Sequence, residues 1–229
     1  MLIQEDLIFK LHILLVIQLE MINSMIKTID EHYSGVVEEK KSRFISNIFH
    51  AENINEVNEI IDRIKKKYYD SSHNVYAYRI EENNQIIERA SDDGEPKKTA
   101  GAPILDIIKK QNLCNILVIV TRYFGGILLG TGGLVKAYSS CAQVALKEAK
   151  YIIQEKGYKL KIEVEYDNLE GFKYFLKTKK VNIIQYNYQK NVEIIVEVTN
   201  EQKEEILNDN NKYFKVLQID ILEQKYIKK

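Results

Sequence analysis

The chain has 229 residues, enough for one large domain or two small ones, and its 45% apolar and 29% charged content is ordinary for a soluble globular protein. Lysine plus arginine and aspartate plus glutamate both number 33, which argues against a protein that coats nucleic acid through global positive charge. Any polyanion contact must come from a local patch.

Taken in chain order, residues 1–24 stand apart. Leu7–Leu19 is apolar but broken by Lys10, His12 and Gln18, too short and interrupted to span a bilayer. It also lacks the basic start and cleavage site of a secretory signal, so no membrane association is expected. Met25 opens a stretch that reads as an ordinary N-terminus, and residues 1–24 are expected to be non-native or dispensable. Lys41–Ala51 reads as a strand. Asn53 with Glu56 three residues later forms a capping box for a helix whose core stripe is Ile54, Val57, Ile60, Ile61, Ile64 and Tyr68. His73–Ile80 is a strand that places His73, Val75, Ala77 and Arg79 on one face and Tyr76, Tyr78 and Ile80 on the other. A strand around Gln85–Ala90 leads into the acidic loop SDDGEP, and Pro103 suits the first turn of a short helix. Asn115–Val120 reads as a strand buried on both faces, followed by a glycine-rich loop and a helix over Leu134–Ala149.

Beyond about Tyr151 the pattern changes. Tyr158–Tyr166 alternates apolar and charged residues, as in a strand with one wet face. A helix at Asn168–Lys179, strands near Val181–Tyr188 and Val192–Val198, a helix at Glu201–Asn208 and a strand at Val216–Tyr226 complete a βαββαβ order, that of the ferredoxin-like sandwich. The expected division is therefore residues 25–153 and 154–229.

Cys114 and Cys141 form no CxxC pair and are expected to be buried reduced thiols in a reducing compartment. The histidines His12, His32, His50 and His73 have no paired-ligand spacing, so no metal is expected, and no cofactor. Gly125, Gly126, Gly130, Gly132 and Gly133 lie between a strand and a helix. Thr131 stands where a Walker lysine belongs, and Val135 where a Rossmann fingerprint ends in glycine. Two readings stay open: a tight strand-to-helix turn, or an anion contact completed by Arg122 and Lys136. Asp92, Asp93 and Glu95 read as a solvated turn or as an acid/base or magnesium site. His73 and Arg79 can meet a base or phosphate, and Lys40, Lys41 and Arg43 beside Phe44 form the only other local basic-aromatic cluster.

The segments KSRF (Lys41–Phe44), SSHNVYAYR (Ser71–Arg79), SDDGEP (Ser91–Pro96), TAGAPIL (Thr99–Leu105) and VTRYFGGILLGTGGLVKAY (Val120–Tyr138) together resemble the YigZ/IMPACT family, over about residues 35–150. The resemblance implies an α+β protein: a ribosomal-protein-like α/β domain, similar to domain IV of elongation factor G, followed by a ferredoxin-like domain. It also implies a cytoplasmic, translation-associated regulatory protein binding RNA or the ribosome, and a possible protein partner, since eukaryotic relatives act through one. The binding surface it implies is Lys41, Ser42, Arg43, Phe44, His73, Arg79, Asp92, Asp93, Glu95, Arg122, Gly125, Gly126 and Lys136, with no catalytic residue assigned. Two departures stand out. Lys98 occupies the position of a usual glycine before TAG, and Val75 replaces a frequent cysteine after HN. The alternatives are a hydrolase using the Asp92, Asp93 and Glu95 loop, and a protein-interaction module.

Overall fold

The computed structural model describes residues 25–83, 85–209 and 214–228; the expectation about residues 1–24 lies outside them. The chain divides into two compact units, Ile26–Ile152 and the part from Ile153 onward. Among the described residues no helix is long and apolar enough to cross a membrane.

The first unit contains β1 (Met25–Ile29), β2 (Tyr33–Glu39), β3 (Ser42–His50), α1 (Ile54–Lys67), β4 (His73–Glu82), β5 (Gln85–Ser91), α2 (Gly101–Lys110), β6 (Ile116–Tyr123) and α3 (Gly130–Glu148). Its sheet runs β2-β3-β6-β4-β5, with every neighbouring pair antiparallel. Strand β6 is central and buried from Ile116 through Arg122, as its β-branched run demands. Period two divides the sheet's side chains between two cores. Phe44, Ile48, Val75, Ala77, Val118 and Val120 pack under α2 and α3, while Tyr78, Ile80, Leu117 and Ile119 pack under Val57, Ile61 and Ile64 of α1.

The capping box forms as expected: Glu56 N–H donates to the Asn53 side chain at 2.9 Å, and the Glu56 carboxylate accepts from Glu52 N–H at 2.8 Å. Two strands, β1 and β2, were not legible, because their short mixed runs carry neither clean alternation nor an apolar stretch. Helix α3 starts at Gly130, four residues before the expected Leu134. Glycine reads as a breaker in sequence, yet in a first turn, where N–H groups have no intrahelical partner, it disrupts little.

The second unit continues β7 (Tyr151–Val164) and holds α4 (Tyr166–Thr178), β8 (Asn182–Tyr188), β9 (Val192–Thr199), α5 (Asn200–Asp209) and β10 (Val216–Lys228). Its strands pair antiparallel in the order β10-β7-β9-β8, the ferredoxin-like arrangement. Leu160, Ile162, Val192, Ile194 and Val196 form a core with Phe172 and Leu176 of α4 and Ile206 of α5. Strand β7 begins seven residues before the expected Tyr158, because Tyr151–Gly157 does not alternate by polarity.

Both cysteines are free and buried, and burial pushes both thiols up.

Candidate nucleic-acid interface

The start of β4 and the end of β6 lie side by side at one end of the first sheet. His73 stands opposite Arg122, and Arg122 opposite Phe44 on β3. Alternation sends all three toward α2 and α3, and there the chain assembles a buried ionic network. Arg122 Nη1 donates to Glu95 Oε1 at 2.6 Å, and the Tyr138 hydroxyl donates to the same oxygen at 2.7 Å. Arg122 Nη2 reaches Ser42 Oγ at 3.4 Å, and the Gly125 N–H donates to that hydroxyl at 3.1 Å. The guanidinium also lies over the rings of Phe44 and Phe124, at 5.4 and 5.3 Å from their centroids. Arg122 and Glu95 are only 5% and 9% exposed. Burial, then the Glu95 carboxylate, pushes the Tyr138 phenol far up, so it stays a donor.

The acidic loop is tied down by its own carboxylates. Asp92 accepts from the backbone N–H groups of Lys98, Ala100 and Gly101 at 2.7, 3.1 and 2.8 Å. It thereby serves as a remote N-cap for α2, whose N-cap residue Ala100 has no capping side chain. Asp93 accepts from Asn74 N–H at 2.6 Å and pairs with Lys65 at 3.4 Å. The Asp93 carbonyl accepts from His73 Nδ1 at 2.8 Å, which fixes the proton of the neutral ring on that nitrogen. The opposite edge, His73 Nε2, is 3.8 Å from Glu95.

The expected site residues therefore separate into three groups. Phe44 and Ser42 are completely buried, Arg122 and Glu95 nearly so, and these four are internal supports and not surface contacts. Arg79 leaves the cluster altogether. It lies six residues from His73 along β4, roughly 20 Å at strand rise, and bonds Glu88 at 3.0 Å and the Leu113 carbonyl at 2.9 Å. Lys41, Arg43 and Gly126 are exposed, as is Lys136 on α3, while His73, Asp92, Asp93 and Gly125 are half-buried. Lys40, Lys97 and Lys98 join this exposed set. Arg43 sits opposite Tyr123 on one side and opposite Glu38 on the other.

Backbone conformation marks three of these lysines. Glu39 pairs with Ser42, so Lys40 and Lys41 form a two-residue hairpin loop, with φ of 46° and 66°. Positive φ at both positions is the type I′ requirement, normally met by Asn-Gly. Lys98 has φ 64°, so the lysine takes the left-handed conformation that a glycine would adopt without strain. Gly125 is needed for a different reason. A side chain there would overlap the backbone of Lys41 and Ser42, so the glycine lets the loop lie directly on the hairpin. Gly126 has φ 82° and open space beside it.

Sequence reading missed Tyr138 as a member of this region, while Lys97 and Lys98 read as able to extend a basic rim. Tyr138 was visible only as one apolar position of a helix, and its bond to Glu95 spans 43 residues. The two lysines were legible as a basic addition to the loop, without their backbone geometry.

Comparisons with known proteins place both units. The Impact N-terminal domain model matches residues 40–146, and a model described as domain of unknown function DUF1949 matches residues 162–209. The chain is 36% identical to the IMPACT family member YvyE of Bacillus subtilis over 154 residues, 67% of this chain and 70% of that protein. It is 35% identical to the IMPACT family member YigZ of Escherichia coli over 158 residues, 67% of this chain and 76% of that one. A crystal structure described as a hypothetical protein superposes with a TM-score of 0.58 and 28% identity, covering 86% of this chain and 98% of its own. At these identities and coverages, this chain belongs to the IMPACT family.

Proposed function

We propose that this protein is a cytoplasmic, translation-associated regulator that contacts RNA, free or on the ribosome, through the cationic end of its N-terminal sheet. The observation that carries this reading is the placement of Lys40, Lys41 and Lys98 at positive φ. A non-glycine residue there costs about 1–2 kcal/mol, and strain of that kind gathers where side chains have work outside the fold. The charged ends are exposed, whereas the carboxylates of the acidic loop are engaged by donors of the same unit. That commitment favours binding over the hydrolase reading. The translation role rests on membership of the IMPACT family and on the resemblance of its first domain to domain IV of elongation factor G.

The native chain is expected to co-sediment with ribosomes at low salt and to leave the pellet as salt rises, because each phosphate contact releases counterions. Arg43→Gln is expected to weaken that association severalfold with little change in stability, since Arg43 is exposed. A protein absent from ribosomal fractions at both low and moderate salt contradicts the reading. Partners captured from lysate that persist after nuclease treatment would instead favour a protein-interaction module.

A further inference from the structure

We propose that the C-terminal unit carries a second binding site, one for single-stranded nucleic acid, in which lysines of α4 and the turn after it hold phosphate and tyrosines of β8 take bases. The site is an open cleft of about 550 Å³ where the end of α4 turns into β8, lined by Lys173, Lys177, Lys180, Asn182 and Tyr186 over a floor of Val181 and Ile183. Of its three lysines, Lys173 is engaged by Glu170 at 2.9 Å. Among the described residues Lys177 and Lys180 have no carboxylate partner, so two cations face the cleft unneutralised.

Helix electrostatics does not account for all of this. Cations in a last turn complement the negative end of a helix. Lys177 occupies that turn, and the C-cap residue Lys179 is already paired with Glu205. Lys173, six residues earlier, lies beyond the reach of the effect. Lys180 repeats the feature seen at the other unit: its φ is 53°, at the position after the helix where glycine is the usual residue. The lysine therefore replaces a residue that would fit the backbone better.

Aromatic surface sits beside the cations. Tyr186 and Tyr188 share one face of β8, with ring centroids 6.1 Å apart and planes at 20°. Lys173 Nζ is 5.5 Å from the Tyr186 centroid, and Tyr188 is 58% exposed. A cationic track beside stacking rings is the arrangement by which proteins hold single strands without reading sequence. Glu197, opposite Asn182 on the sheet, is taken up by Asn182 at 2.8 Å and Lys225 at 2.9 Å.

The test measures binding of a labelled uridine oligonucleotide, roughly 12 nucleotides long, to the full chain across a salt series. Lys180→Gly removes a cation where glycine suits the backbone, and Lys177→Gln is an exposed helix substitution, so the pair keeps the fold. The double variant is expected to bind about tenfold more weakly, with the salt slope reduced by about 1.4. Tyr188→Ala is expected to weaken binding about fivefold or more at unchanged slope. Unchanged affinity in both variants overturns the proposal. So does loss in the lysine variant alone with equal competition by polyglutamate, which would make the cleft a site for acidic protein. Arg43→Gln in the same assay separates the two surfaces. Loss there alone overturns this site and leaves the N-terminal one standing, and loss in the C-terminal variants alone does the reverse.

Discussion

Arg122→Ala is expected to destabilise the N-terminal unit by about 3–5 kcal/mol, the cost of removing one partner from a buried ion pair. The Glu95 carboxylate would keep the Tyr138 hydroxyl and lose its Arg122 ion-pair partner, while remaining almost fully enclosed. A loss of that size is a large share of the 5–15 kcal/mol that typically holds a domain folded. Amide exchange across β6 under increasing urea reads the effect on this unit alone. Replacing both partners together, Arg122→Met with Glu95→Met, is expected to recover most of the loss, since no unpaired charge is left behind. If Arg122 were instead a phosphate ligand, the single variant would keep its stability and lose only binding.

Gly125→Ala is the second large effect, expected at roughly 3 kcal/mol or more. The added methyl meets the backbone of Lys41 and Ser42, which cannot rotate aside as a side chain can. Relief requires the glycine loop to lift from the hairpin, which would stretch the Gly125 N–H bond to Ser42 Oγ. Gly126→Ala offers the control. It has open space and strains only its φ of 82°, so about 1 kcal/mol is expected. Urea midpoints of the two variants check the contrast. Equal losses would mean that conformation, and not close approach, accounts for both glycines.

The two variants also mark where the sequence stopped being informative. Helix α1 and its cap, the central strand β6 and the βαββαβ order were legible because each writes its geometry into a local period or spacing. The candidate site reads in sequence as a set of segments, of which Lys41 and Arg43 are exposed. What sequence could not show was which polar residues turn inward. Arg122 follows six buried residues of β6 in the same alternation and is covered by α3, an element formed later in the chain. Arg79 occupies the same face of β4 as His73, so period alone could not tell that the two sit at opposite ends. The tyrosine and lysine cluster of the second unit escaped notice because Lys173 and Tyr186 lie 13 positions apart in the chain and meet only through the turn from α4 to β8.

The proposal that cations are kept at this sheet end at a cost to the fold is tested most directly by one triple variant, Lys40→Asn with Lys41→Gly and Lys98→Gly. These are the residues that the local backbone prefers, with φ of 46°, 66° and 64° at the three positions. Stability is expected to rise by about 1–2 kcal/mol in total, the relieved strain less the extra chain entropy of glycine. Ribosome co-sedimentation is expected to fall about tenfold or more, with a salt slope shallower by about 2. A variant that gains stability and sediments with ribosomes as well as the native chain would contradict the account.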